Sequence, residues 1–247
     1  MPLAGGQGTC WRAGDAVLKP VDDPLGGEEL AALVAGLGED GFRLARPIAA
    51  SGARFVVSGW SASRWLEGRH AGDRWDEVVA LSVRLARMLD GLPRPEFLDR
   101  LDDPGPGPGM WRSARRRSLR TATGPTSPRS SRISGRRPQR RTSSSTTIWR
   151  ATCSSTTPRP PAVIDFTPGW RPAGYQTAVV VADAFLWHDA GPALADRAAA
   201  LVDDFAALFP RAILFRLVVD AMFRPDDPGC RHLGAVERAA RWLGRSV

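Results

Sequence analysis

The chain has 247 residues, 43 % of them apolar, and a formal net charge of +8; that length suits one large domain or two small ones. It has no apolar run of about 18 residues, and the opening Met1–Gly6 lacks the basic and apolar regions of a signal peptide, so a cytoplasmic protein with no membrane partner is expected. Cys10, Cys153 and Cys230 are odd in number and far apart, and His70, His188 and His232 have no ligand spacing with any of them, which argues against a disulfide framework and a structural zinc site.

Leu3 to Thr9 is a glycine-rich turn, Gly5-Gly6-Gln7-Gly8-Thr9. Cys10-Trp11-Arg12 reads as a short strand, Ala13-Gly14-Asp15 as a turn, and Ala16-Val17-Leu18-Lys19 as a second strand closed by Pro20. Lys19 is the sole lysine beside 33 arginines. In a chain that writes Arg for positive charge, a lone Lys marks a position that wants a compact ammonium and not a planar fork. A glycine loop, a hairpin and a Lys near the end of the second strand form the layout of a kinase phosphate cradle.

After Gly26-Gly27, the apolar residues Leu30, Leu33, Val34 and Leu37 fall at helical spacing, with Glu28 and Glu29 in the first turn. Either carboxylate is a candidate ion-pair partner for Lys19. Phe42 to Ala49 and Arg54 to Ser58 read as further strands of the same sheet. Gly59-Trp60-Ser61-Ala62-Ser63 follows; in a two-lobed kinase this would be the hinge, a connector whose backbone faces the nucleotide base. Asp73 to Leu92 is an amphipathic helix stopped by Pro93 and Pro95.

The texture changes at Pro104. Residues 104–160 hold 13 Arg and no Lys, Asp or Glu, and only 10 of these 57 residues are apolar. Such a block cannot bury enough surface to offset the ordering of its backbone, so it is expected to be disordered. Ordinary texture returns with Ala162-Val163-Ile164-Asp165-Phe166, an apolar strand ending in a carboxylate. Helices are expected over Gly174–Trp187, Pro192–Phe209, Arg211–Phe223 and Leu233–Leu243. A strand-rich front and a helix-rich back give an α+β class.

Pro2 to Thr9, Val17-Leu18-Lys19-Pro20, Gly59-Trp60, and Pro161 to Pro168 with Trp170-Arg171-Pro172 resemble a subfamily of the aminoglycoside phosphotransferase and choline kinase group. The resemblance covers roughly residues 2–103 and 161–245. It implies an incomplete protein-kinase-like two-lobed fold: an N-lobe over 1–60, a hinge and first C-lobe helix over 61–103, the basic segment over 104–160, and C-lobe metal strand and helices over 161–247. It also implies ATP and Mg²⁺ as cofactors and a small-molecule hydroxyl as acceptor. Carried over by position, Gly5, Gly6 and Gly8 would cover the phosphates, and Lys19 would pair with them, held by Glu28 or Glu29. Trp60 and Ser61 would face the nucleotide, and Asp165 would bind the metal.

That group carries a His-x-Asp loop with an Asn shortly after it, some fifteen to twenty residues before the metal Asp. No such loop occurs in this chain, and its place falls inside the basic block. If each true codon there is the last base of one written codon and the first two of the next, Thr and Ile positions become His, Asp, Asn or Tyr, and Trp and Cys become Leu, Val or Met. Thr146 to Ser155 then permits His-His-Asp-Leu-Ala-Gly-Asn-Val-Leu-Phe. The catalytic Asp would stand where Ile148 is, 17 residues before Asp165, and the Asn where Thr152 is. Residues 104–160 thus read as an out-of-frame segment, which leaves the phosphotransferase-like chain catalytically dead. The competing reading is a nucleic-acid-binding or scaffold protein that uses the basic 104–160 segment, since Ser127 to Arg132 resembles basic RNA-binding tails. Its place inside a domain, between a helix and a strand, counts against that. The coding sequence read in the shifted frame across codons 104–160 is expected to supply the His-x-Asp loop. A stop codon there, or other residues at the places of Ile148 and Thr152, would refute the frame disruption.

Overall fold

The computed structural model describes residues 1–3, 9–68, 74–98, 142–148, 151–152, 160–224 and 230–246. The class is α+β. Strands β1 (Trp11–Ala13), β2 (Ala16–Pro20), β4 (Val56–Val57) and β5 (Trp60–Arg64) form an antiparallel sheet in the order β1-β2-β5-β4. Two tight turns build it. Gly14 takes a φ of 58° between the paired Ala13 and Ala16, and Ser58 and Gly59 take 50° and 76° between the paired Val57 and Trp60. Positive φ at these positions matches the twist of the flanking strands.

Helix α1 (Pro24–Gly36) lies against this sheet. It begins four residues before Glu28, so Gly26 and Gly27 lie inside it and do not precede it. Pro24 starts the helix because its missing N–H is one that a first turn leaves unpaired anyway. Gly27 is tolerated inside it because a Cβ there would sit 2.6 Å from Val21 Cγ1 and 3.3 Å from Val56 Cγ2.

Strand β3 (Arg43–Leu44) does not belong to the first sheet, contrary to expectation. It pairs in parallel with β8 (Ala162–Val163), and β7 (Ala151–Thr152) pairs antiparallel on the other side of β8. Strand β6 (Thr142–Ile148) runs antiparallel to β9 (Phe166–Pro172). The basic block therefore contains extended segments where none was expected. Their run of Ser, Thr and Ile favours extended backbone, since β-branched residues suit a pleated ladder. Apart from Pro160, the rest of the block lies outside the described residues.

The helical half comprises α2 (Trp75–Leu89), α3 (Tyr175–Trp187), α4 (Pro192–Ala199), α5 (Phe205–Phe223) and α6 (Leu233–Ser246). Helix α3 is buried on nearly all sides and lies at the centre, with Val181, Ala182, Ala184 and Phe185 fully enclosed. One change from expectation concerns Pro210, which sits within α5 and does not divide it from a second helix. The Pro ring lies in the second turn on the exposed side, so the helix loses one backbone bond there and continues. Among the described residues, no helix is long and apolar enough to cross a membrane.

Phe205, Phe209 and Trp242 seal α5 against α6: the Trp242 ring stands edge-on to both Phe rings at 5.5 and 5.7 Å, and its Nε1 donates to Asp196 Oδ1 at 2.6 Å. Deeper in, Arg216 pairs with Asp183 and stacks on Trp187 with its guanidinium 4.8 Å from the ring centroid. Burial pushes the Asp183 carboxyl up to about 6 against the opposing pull of Arg216. Trp242→Ala is expected to cost about 3–5 kcal/mol through the cavity it leaves, and Trp242→Phe less, both measured by urea unfolding followed by circular dichroism. A loss under about 1 kcal/mol for the alanine variant would remove Trp242 from the core.

Candidate functional site

Lys19 and Asp165 are 146 residues apart in the chain, and the fold brings them together. Lys19 Nζ donates to Asp165 Oδ1 at 3.1 Å, and lies 3.5 Å from the Ile164 carbonyl. The side chains keep 32 % and 49 % of their exposure, so the pair sits at an open surface. At that exposure an ion pair contributes about 0–1 kcal/mol. Stability therefore does not explain why the two charges meet.

Backbone pairing explains it. Lys19 faces Ser61 across the β2–β5 ladder. The far side of β5 is hydrogen-bonded to the segment after β3: Ile48 N–H donates to the Ala62 carbonyl at 2.8 Å, and Arg64 N–H to the Arg46 carbonyl at 2.7 Å. The same segment, just upstream, holds β8 through Arg43 N–H on the Pro161 carbonyl (2.8 Å) and Ala45 N–H on the Val163 carbonyl (3.0 Å). Asp165 follows β8 by two residues. One extended stretch thus carries β5, and with it Lys19, on one part and β8, and with it Asp165, on the next.

Glu28 does not pair with Lys19. Its carboxylate accepts the backbone N–H groups of Phe55 (2.8 Å) and Val56 (2.7 Å), tying α1 to the start of β4. These amides are donors that an edge strand leaves open, and a carboxylate from the adjacent helix satisfies two at once. Glu29, one residue further round the helix, lines a shallow cleft of about 380 Å³ with Leu33, Leu92, Pro93 and Phe97. Trp60 and Ser61 lie inside β5, not in a connector. Ser61 is the register partner of Lys19, while Trp60 is partnered by Pro20 and Val57. The Ser58-Gly59 pair is a turn signal that marks this hairpin in the sequence.

Gly5, Gly6 and Gly8 lie outside the described residues. Thr146, Ile148 and Thr152 are placed by their backbones: Thr146 is opposite Pro168, Ile148 opposite Phe166, and Thr152 opposite Ala162. The positions singled out for the missing loop thus flank Asp165 in register on both sides. Among the described residues, no group of three or more His, Cys, Asp or Glu side chains gathers to hold a metal. A cation here would rest on Asp165 together with water and ligand oxygens, which is how Mg²⁺ is usually held.

Two residues that carry the site drew no notice in the sequence. Arg46 Nη1 reaches the carbonyls of Val34 (3.1 Å), Ala35 (3.2 Å) and Leu37 (2.6 Å), closing the C-terminal end of α1. Arg43 donates from its side chain to the carbonyls of Pro160 and Glu67. Comparison of the chain with protein-family models, curated proteins and solved structures finds no match.

The Phe55 N–H holds the Glu28 carboxyl below its ordinary value of 4.5; desolvation opposes this, and the Val56 N–H and Arg54 add to it. A depressed folded value means the stabilisation is present above the unfolded value and lost as pH falls through the folded one. Glu28→Gln should therefore lower the urea midpoint at about pH 7, and the gap from the parent chain should close by about pH 3. An equal gap at both pH values would show that the carboxylate charge plays no part.

Proposed function

We propose that Lys19 and Asp165 form a site for the phosphates of a magnesium–nucleoside triphosphate, on a phosphotransferase-like frame that lacks its chemical step. The observation that carries this is the meeting of the two side chains. The sole lysine of the chain and the carboxylate after its apolar strand were each picked out by residue type, and they lie within hydrogen-bond distance. A lysine ammonium is a compact charge suited to phosphate oxygens. A carboxylate is the hard oxygen ligand that Mg²⁺ takes, usually in ones or twos, with phosphate completing its shell.

In this reading the four-stranded sheet with α1 is the small lobe and the helical half the large one. The resemblance implies that Gly5, Gly6 and Gly8 would cover the phosphates. The family's acceptor would be the hydroxyl of a small molecule. When bound, Mg²⁺ would neutralise phosphate charge and orient the nucleotide. Lys19 and Asp165 would then exchange their mutual contact for one phosphate contact and one metal contact.

Transfer would further need a group that accepts the proton of the attacking hydroxyl. The resemblance would put that group at the position of Ile148, whose backbone register partner is Phe166, and an aliphatic side chain accepts no proton. Thr152, the other position, is a hydroxyl with no basicity at neutral pH. Binding without turnover follows.

Mg²⁺-dependent binding of ATP is expected in calorimetric titration of the full chain. Lys19→Met and Asp165→Asn should each weaken it on the order of tenfold or more, about 1.4 kcal/mol per tenfold. Transfer of radiolabelled γ-phosphate to small-molecule alcohols should stay at the level without protein. Binding that is independent of Mg²⁺ and indifferent to both substitutions would refute the site, and robust transfer would refute the missing step.

A further inference from the structure

Arg43 makes three polar contacts from one residue, two to the segment entering β8 and one to the segment leaving β5. Its backbone N–H donates to the Pro161 carbonyl at 2.8 Å, the first rung of the parallel β3–β8 ladder. Its Nε donates to the Pro160 carbonyl at 3.0 Å, at the point where the chain enters β8. Its Nη2 donates to the Glu67 carbonyl at 3.3 Å, in the segment that leaves β5. The planar guanidinium offers several donors in a fixed fork, so it can hold two carbonyls at a set angle, which a lysine cannot do.

The two carbonyls belong to the two segments that lead to the site residues. Pro160 lies five residues before Asp165. Glu67 lies six residues after Ser61, the register partner of Lys19. The β3–β8 ladder is only two residue pairs long, Arg43 with Ala162 and Leu44 with Val163. On its other edge β8 has two more pairs, with Ala151 and Thr152 of β7, so both ladders act on Ala162 and Val163. The side chain of the residue that makes the first β3–β8 rung adds a contact outside both ladders, at the strand's entry.

We infer that Arg43 is a positioning residue for the Lys19–Asp165 site: by clamping the entry of β8 to the exit of β5, it sets the distance between Asp165 and Lys19. The nature of the ligand rests on the phosphate-binding reading above; the distance itself does not. A change in the path of the chain after β5 would pull on the Glu67 carbonyl, and through Arg43 would shift β8 and Asp165 together.

The distance can be read without any ligand. Lys19→Cys and Asp165→Cys are introduced into a chain carrying Cys10→Ser, Cys153→Ser and Cys230→Ser, and the rate of cross-linking by a short bismaleimide is measured. A second pair, Asp189→Cys and Arg238→Cys, replaces an exposed ion pair of 3.0 Å in the helical half and serves as the control. Arg43→Ala is expected to slow cross-linking at the first pair about tenfold, since small misplacements change rates between positioned groups steeply, and to leave the control pair unchanged. Arg43→Lys, which can reach only one carbonyl at a time, is expected to fall between.

An unchanged rate at the first pair refutes the role of Arg43. Equal slowing at both pairs refutes it too, because that marks general loosening. If the alanine variant does not fold, the lysine variant decides by the same two comparisons. Mg²⁺-dependent ATP titration of the parent chain separates the two claims: its absence removes the phosphate reading and leaves the cross-linking result to stand or fall alone.

Discussion

The structure depends on one extended stretch, residues 43–48, that is hydrogen-bonded to two different strands in succession. Its first part pairs with β8, and its second part pairs with β5. Each backbone bond contributes on the order of 1 kcal/mol, so the joint is modest in energy. Its importance is geometric. It is a backbone link between the N-terminal sheet and the strand that leads to Asp165. Side chains then reinforce it from within: Leu44 N–H donates to Glu39 Oε1, Arg46 holds both Glu39 and the end of α1, and Arg43 holds what enters β8. Phe42 and Leu44, both 2 % exposed, insert into the same core as α2 and α3 and fix the depth of the stretch.

Asp165 is also fixed from the downstream side. Strand β9 runs from Phe166 to Pro172, and helix α3 begins three residues later. Gly174 makes that corner with a φ of 83° against Val202, where a Cβ would overlap the valine, so the turn requires glycine. The first turn of α3 is then locked to α2 by buried polar contacts: Thr177 and Ser82 share a hydroxyl contact of 2.8 Å, and Gln176 donates to the Ser82 carbonyl. Polar groups at this depth must be paired to be tolerated, and a paired set specifies one register where apolar side chains would slide. The helical half therefore acts as the anchor for β9, and through β9 for Asp165.

What could be seen in the sequence follows from how each feature is encoded. Lys19 stood out because it breaks the chain's habit of using arginine, and Asp165 because a carboxylate ends an apolar strand. Both are anomalies of residue type, and such anomalies survive without a fold. Arg43 and Arg46 are ordinary arginines among 33, and what distinguishes them is a set of backbone carbonyls supplied by remote segments. Nothing local announces that. The start of α1 was misplaced because two glycines read as a break, whereas the close approach of Val21 and Val56 is what makes glycine fit inside the helix. Pro210 misled in the same way: its ring lies in the second turn of α5 on the solvent side, and the helix continues past it at the loss of one backbone bond. Trp60 and Ser61 were given to a connector although the Ser58-Gly59 turn before them encodes a hairpin. The α+β class and the two residues of the candidate site were legible, and the joint that brings these residues together was not.

The weakness of the Lys19–Asp165 pair is what suits it to the proposed role. A strong buried pair would resist a ligand, because each charge would have to be stripped of a partner that its surroundings cannot replace. Here both groups keep about a third to a half of their exposure, and their mutual attraction contributes about 0–1 kcal/mol. Inserting a phosphate and its metal between them therefore costs little, while the backbone frame that sets their spacing stays intact. The same reasoning assigns the chain's basicity elsewhere. The pair is neutral as a unit, and the surplus positive charge lies in residues 104–160, so the isoelectric point near 10.9 carries no information about what the site binds. What would select a ligand at the proposed site is local: one ammonium and one carboxylate, 3.1 Å apart at an open surface, held there by the backbone frame.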